Sequence, residues 1–181
     1  MATLSPAALE AEWTGNLTRR KRRSIEELTA IPLREIALGP GEAFFALFGL
    51  KPLQMIKRGR LARYHPALLA FAWRQSVLFS HPAYNESFGM TLERLFGELP
   101  GSSRDRRERF VNDLNFFKVI TDTFEEDGFM SAALHVSQRV LGEIDKKPEN
   151  IDWAVEMSLW LDERFQAYRG ALLEVEVGTG G

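Results

Sequence analysis

The chain has 181 residues, 45% apolar and 27% charged, enough for one domain with a full core or two small lobes sharing an interface. It has no cysteine, which excludes a disulfide framework, a thiolate metal site and a cysteine nucleophile. The formal charge of −2 is unevenly spread: Met1 to Tyr64 carries 11 Lys and Arg against 6 Asp and Glu, whereas His65 to Gly181 carries 12 against 19. A basic part balanced at +5 beside an acidic part at −7 points to an anionic partner for the first, against the plainer reading of a solvated surface.

Taken in chain order, Ser5 and Pro6 read as the N-cap and first position of a helix reaching Trp13, ended by Gly15 and Asn16. Met1 to Pro6 has neither a basic nor an apolar region, so no signal peptide is expected and the expected location is cytoplasmic. Arg19 to Arg23 is a basic run. Ser24 and Glu27 have capping-box spacing and predict a helix directly after it, stopped by Pro32. Leu38 to Gly41 is a loop, and Glu42 to Phe48 a short apolar helix closed by Gly49.

A further helix from Pro52 carries Lys57, Arg58, Arg60 and Arg63. A separate, strongly apolar helix is expected from His65 and Pro66 to near His81 and Pro82; it is interrupted by Arg74 and Gln75 and too short to span a bilayer. Ala83 to Gly89 reads as a polar loop, with Thr91 capping a helix to Leu99. Pro100 to Ser103 is a break. Ser103 caps a long helix to about Phe124, with Phe110, Leu114, Phe117 and Ile120 on one side.

After a turn at Glu125 to Gly128, a helix is expected from Phe129 to about Lys146. Following Lys147 to Asn150, Asn150 or Asp152 caps a last helix carrying Trp153, Met157, Trp160, Leu161, Phe165 and Tyr168. Leu173 to Val177 alternates like a strand, but no second strand is visible to pair with it. The expected fold is all-α, a helical bundle of two small lobes. Residues 1–100 form a lobe with a basic surface, and residues 101–181 a second lobe with a flexible tail from about 178.

Chemistry is sparse. His65, His81 and His135 lack the i, i+4 spacing of a helical metal site, and no phosphate-binding glycine loop is present. With no nucleophile, metal set or cofactor motif visible, no enzyme, metal or cofactor is expected. Most aromatics fall on apolar helix faces; Trp13 and Trp160 are the two weighed as stacking surfaces for bases or a partner. The remaining features are basic: Arg19 to Arg23, then Lys51, Lys57, Arg58, Arg60 and Arg63, then Arg104, Arg106, Arg107 and Arg109. Arginines on one helix face neutralise successive phosphates without reading sequence. Phe44 to Arg58 has a weak helix-turn-helix pattern, with Gly49 in the turn and Leu50 and Met55 as inward positions.

Five blocks in order resemble the small subunit of the type I-E CRISPR Cascade complex. They are Trp13 with Arg22-Arg23-Ser24, Glu27-Leu28 and Ile31-Pro32; Phe44 to Leu47 leading to Pro66 to Leu69; Gly89 to Leu95; Arg106 to Phe110; and Ile151 to Ala154 followed by Leu159-Trp160-Leu161. The chain departs from that family in being net acidic. The resemblance implies two helical lobes, no catalysis and head-to-tail self-association along the backbone and large subunits of the complex. It also implies a positive groove that holds the guide RNA–target duplex and the displaced DNA strand. By position it implies phosphate contacts for Arg22, Arg23, Arg94, Arg106 and Arg107, with Lys118 three turns beyond Arg107. Two other readings stand beside it: a helical adaptor or chaperone that binds only protein, and a helix-turn-helix transcriptional regulator.

Overall fold

The computed structural model describes residues 21–123, 128–142 and 149–178. These form seven helices: α1 (Ile25–Leu38), α2 (Glu42–Leu47), α3 (Met55–Ser80), α4 (Asn85–Glu98), α5 (Arg104–Thr123), α6 (Gly128–Leu141) and α7 (Glu149–Leu173), with a 3₁₀ turn at Pro82–Tyr84. The expected first helix at Ser5 to Trp13, Arg19 and Arg20, the turn at Glu125 to Asp127, Lys147 and the tail beyond Gly178 lie outside the described residues.

The bundle is built around α3. Every residue from Ala67 to Trp73 is nearly inaccessible, which marks a helix enclosed on all sides. It packs against α7, α5, α1, α4 and α6, and α6 packs on α7. Leu28 and Ile36 of α1, Phe88, Leu92 and Phe96 of α4, Leu114 and Phe117 of α5, Val136 of α6 and Met157, Leu161 and Tyr168 of α7 join one continuous core. That core draws on residues from both sides of the Pro100–Ser103 break.

Local signals set several boundaries. Ser24 and Glu27 form the expected reciprocal capping box, and the Glu27 backbone N–H donates to Ser24 Oγ at 3.2 Å. Ser103 Oγ accepts from the Arg106 N–H at 3.2 Å, so α5 starts where its cap predicts.

Other boundaries depart from expectation. Pro32 does not stop α1, which continues six residues to Leu38. Pro66 likewise lies inside α3, so the two helices expected on either side of it are one. A mid-helix proline forfeits one hydrogen bond, but burial on both sides of it, Leu28 and Ile36 around Pro32 and Leu61 and Leu68 around Pro66, outweighs that loss. Ala83 to Gly89 is not a loop: Phe88, Leu92 and Phe96 recur every four residues and bury one stripe, while Glu86 and Ser87 face outward. Thr91 is therefore inside α4 rather than its cap. Helix α6 ends at Leu141 because Gly142 takes φ 101°, short of the expected Lys146. Asn150 and Asp152 lie within α7 and do not cap it.

The strand at the C-terminus does have a partner. β1 (Lys21–Arg23) and β2 (Val175–Val177) pair in parallel, with Lys21 opposite Val175, Arg22 opposite Glu176 and Arg23 opposite Val177. The basic run is thus partly a strand that ties the start of α1 to the end of α7. The Gly178 N–H donates to the Arg23 carbonyl at 3.0 Å, closing the ladder.

Candidate nucleic-acid interface

The first two turns of α5 read Arg104-Asp105-Arg106-Arg107-Glu108-Arg109, four cations against two acids. A helix N-terminus already carries partial positive charge, so cations here are each disfavoured by about 0.3–1 kcal/mol at an exposed site and an anion is favoured. Arg104 is held by Glu108 at 2.8 Å. Arg106 and Arg109, three apart, lie on one face and meet α3. A cavity of about 370 Å³ is lined there by Gly59, Ala62, Arg63, Arg106, Arg109 and the rings of Phe96 and Phe110, among others.

Its floor is rigid. Phe96 and Phe110 stack with centroids 3.8 Å apart and planes 11° from parallel. The Arg106 guanidinium lies 5.7 Å from the Phe96 ring, and its Nη1 donates to the Gly101 carbonyl at 3.5 Å. Arg109 Nε donates to the Asp105 carbonyl at 3.1 Å, and the Arg63 guanidinium lies 5.4 Å from the Tyr64 ring. None of Arg63, Arg106 and Arg109 has a carboxylate within ion-pair distance among the described residues. The acid nearest in effect is Asp113: burial pushes its pKa up, and the charges of Arg63 and Arg109 act against that rise.

Of the six residues singled out by the resemblance, Arg106 lies in this groove. Arg107 lies beside it, with its guanidinium against Gly97, where an added Cβ would come within 3.3 Å of it. Arg94 is placed differently, held by Glu98 at 2.9 Å and by Glu26 of α1. Arg22 stands on β1, 81% exposed, 3.5 Å from Glu176. Arg23 is half-buried on the same strand. Lys118 is exposed, eleven residues beyond Arg107 and so about 16 Å along the axis.

Arg63 and Arg109 belong to the basic pattern but were not among those six. The i, i+3 spacing of Arg106 and Arg109 is visible in sequence; their meeting with Arg63, more than forty positions away, is not. Trp160 does not serve as an exposed stacking surface: it is buried with its ring centroid 5.0 Å from Phe44. Trp13 lies outside the described residues.

The helix-turn-helix pattern is met in part. Leu50 is buried as expected, but Met55 is 76% exposed rather than inward. Arg58 is engaged by Glu42 and stacks 4.2 Å from the Phe45 ring. From Ala67 to Trp73 α3 is enclosed by its neighbours, which is not the situation of a helix lying in a major groove.

Among the described residues no three His, Asp or Glu side chains group closely enough to hold a metal ion, and no helix is long and apolar enough to cross a membrane. No protein-family model, curated protein or solved structure matches the chain.

Proposed function

We propose that the protein is a non-catalytic subunit of a Cascade-like surveillance complex, holding guide RNA–target duplex and displaced single strand by their backbones. The observation that carries this reading is the groove between α3 and α5, where Arg63, Arg106 and Arg109 converge without a paired carboxylate among the described residues. Two cations from the first turns of α5 and a third from α3, over an aromatic floor, suit successive phosphates of any sequence. Such contacts matter because opening a duplex is nearly balanced in energy, so a modest grip on the freed strand shifts the balance. Two of these arginines lie in the otherwise acidic part of the chain, whose carboxylates are left for backbone subunits or a further copy.

The test is anisotropy of a labelled single strand at several salt concentrations, alongside co-purification from the native host. Wild-type affinity falls steeply with salt. The double substitution Arg106→Glu and Arg109→Glu reduces the slope of log K against log salt by about 0.7 per lost contact. Arg22→Glu and Arg94→Glu have smaller effects, because each arginine is already occupied by glutamate. Salt-independent binding, or recovery from the host with an unrelated protein and no RNA, rejects the proposal.

One observation favours the adaptor reading instead. Leu53, Met55 and Ile56, at 95%, 76% and 75% exposure, form an apolar knot at the start of α3. A purely protein partner there would leave the Arg106 and Arg109 substitutions without consequence.

A further inference from the structure

A base can stack only on a ring that solvent reaches. Among the described residues two aromatic side chains are well exposed, Phe79 at 67% and Phe116 at 42%. The Arg169 guanidinium already lies over Phe79, 4.5 Å from the ring centroid. Phe116, on α5, rests on the His135 imidazole of α6, with centroids 4.1 Å apart and planes at 38°. Burial, with the Arg139 charge adding to it, holds the His135 pKa below 6.5, so the ring supporting Phe116 is uncharged at pH 7. The exposed ring is therefore propped from one side by a second flat, neutral ring.

Phe116 also continues the basic groove. It follows Arg109 by seven positions, two turns of α5, so the two side chains share a face about 10 Å apart along the axis. That distance is about three steps of a stacked strand and fewer of an extended one. Between them on the same side lie Asn112, exposed, and Asp113, half-buried. The charges of Arg63 and Arg109 act on Asp113. The Arg139 charge acts on Tyr64 as well as on His135, and Tyr64 also feels Arg63 and Asp113. Helices α3, α5 and α6 thus gather Arg63, Arg109 and Arg139 around one carboxylate, and α6 itself contributes no acidic residue. The path from the groove to Phe116 is lined by more cations than acids.

We infer that Phe116 is a stacking platform for an unpaired base of a single strand whose phosphates lie along Arg63, Arg106 and Arg109. This rests on the nucleic-acid reading proposed above and adds a preference to it. A groove of arginines grips the backbone of a duplex and of a single strand alike. A paired base has both faces covered by its neighbours in the stack, so only an unpaired base reaches the ring.

The probe is a labelled oligothymidine, compared with an abasic strand of the same length and with a duplex, in anisotropy titrations at several salt concentrations. The wild-type protein is expected to bind oligothymidine about tenfold more tightly than the abasic strand. Phe116→Leu keeps an apolar side chain against His135 and removes the ring. It lowers affinity for oligothymidine about tenfold, leaves the slope of log K against log salt unchanged, and leaves the abasic strand and the duplex bound as before. The abasic titration shows at the same time that the variant is folded. Phe116→Tyr, which restores a ring, restores the affinity. Unchanged oligothymidine binding in Phe116→Leu, or an equal loss on all three probes, overturns the inference while salt-dependent binding by the groove still stands. A wild-type protein that shows no salt-dependent binding removes the proposed function, and this inference with it.

Discussion

At the scale of single residues, His65 has the most consequential surroundings. Burial against Phe44 and Trp160, with the Arg164 charge adding to it, lowers its pKa from 6.5 to about 4. The neutral form is the folded one. Between those two values the unfolded chain binds the proton more readily, so stability is full near pH 7 and falls as the pH drops from about 6.5 toward about 4. The loss is at most about 3 kcal/mol. Urea titrations at pH 7 and pH 4.5 measure it, and His65→Leu removes that part of the pH dependence. The same titration series on Phe44→Ala isolates packing. Phe44 is buried and touches four rings, so its truncation costs about 3–5 kcal/mol at either pH.

At the scale of elements, the two mid-helix prolines show how packing overrides propensity. Pro66 removes the N–H that would bond the Ala62 carbonyl, and it is only half-buried. Pro66→Ala restores that bond without opening a deep cavity, and is expected to raise stability by about 1–2 kcal/mol in urea denaturation. Pro32 is fully buried, so alanine there loses apolar contact as well as regaining a bond, and its gain is smaller. The caps act in the expected direction. Ser24→Ala removes one side of the capping box and costs about 1 kcal/mol by the same measurement.

At the scale of the whole molecule, the β1–β2 ladder joins the beginning of the described chain to its end. Val175 is buried against the core, and the ladder fixes the first turn of α1 beside the last turn of α7. Truncation after Leu173 is expected to cost about 2–4 kcal/mol and to speed amide exchange in the first turn of α1 more than in α3. The groove also belongs to this scale. It exists because α5 crosses α3 with the Phe96–Phe110 stack beneath, so on the proposed function loss of that stack through Phe110→Ala is expected to weaken single-strand binding in the anisotropy titration even though every arginine remains.

Much was already written in the order of residues: an all-α chain, the Ser24 and Ser103 caps, Gly49 after α2, and the apolar stripes of α5 and α7. These are signals of short range, carried by neighbours three or four positions apart, where backbone geometry alone dictates which side chains meet. Tertiary structure decided the rest. Whether a proline ends a helix depends on how much surface both sides bury. That Arg22 and Arg23 lie on a paired strand depends on Val175 to Val177, more than 150 positions away. Whether an arginine is available to an anion depends on the carboxylate folded beside it: Glu26 and Glu98 occupy Arg94, while Arg106 and Arg109 meet a third arginine instead. A charge pattern records how many cations a chain carries, and only the packing of α3 on α5 and of α1 on α4 decides which of them have partners, because ion pairing is set by distances in space that sequence separation does not encode.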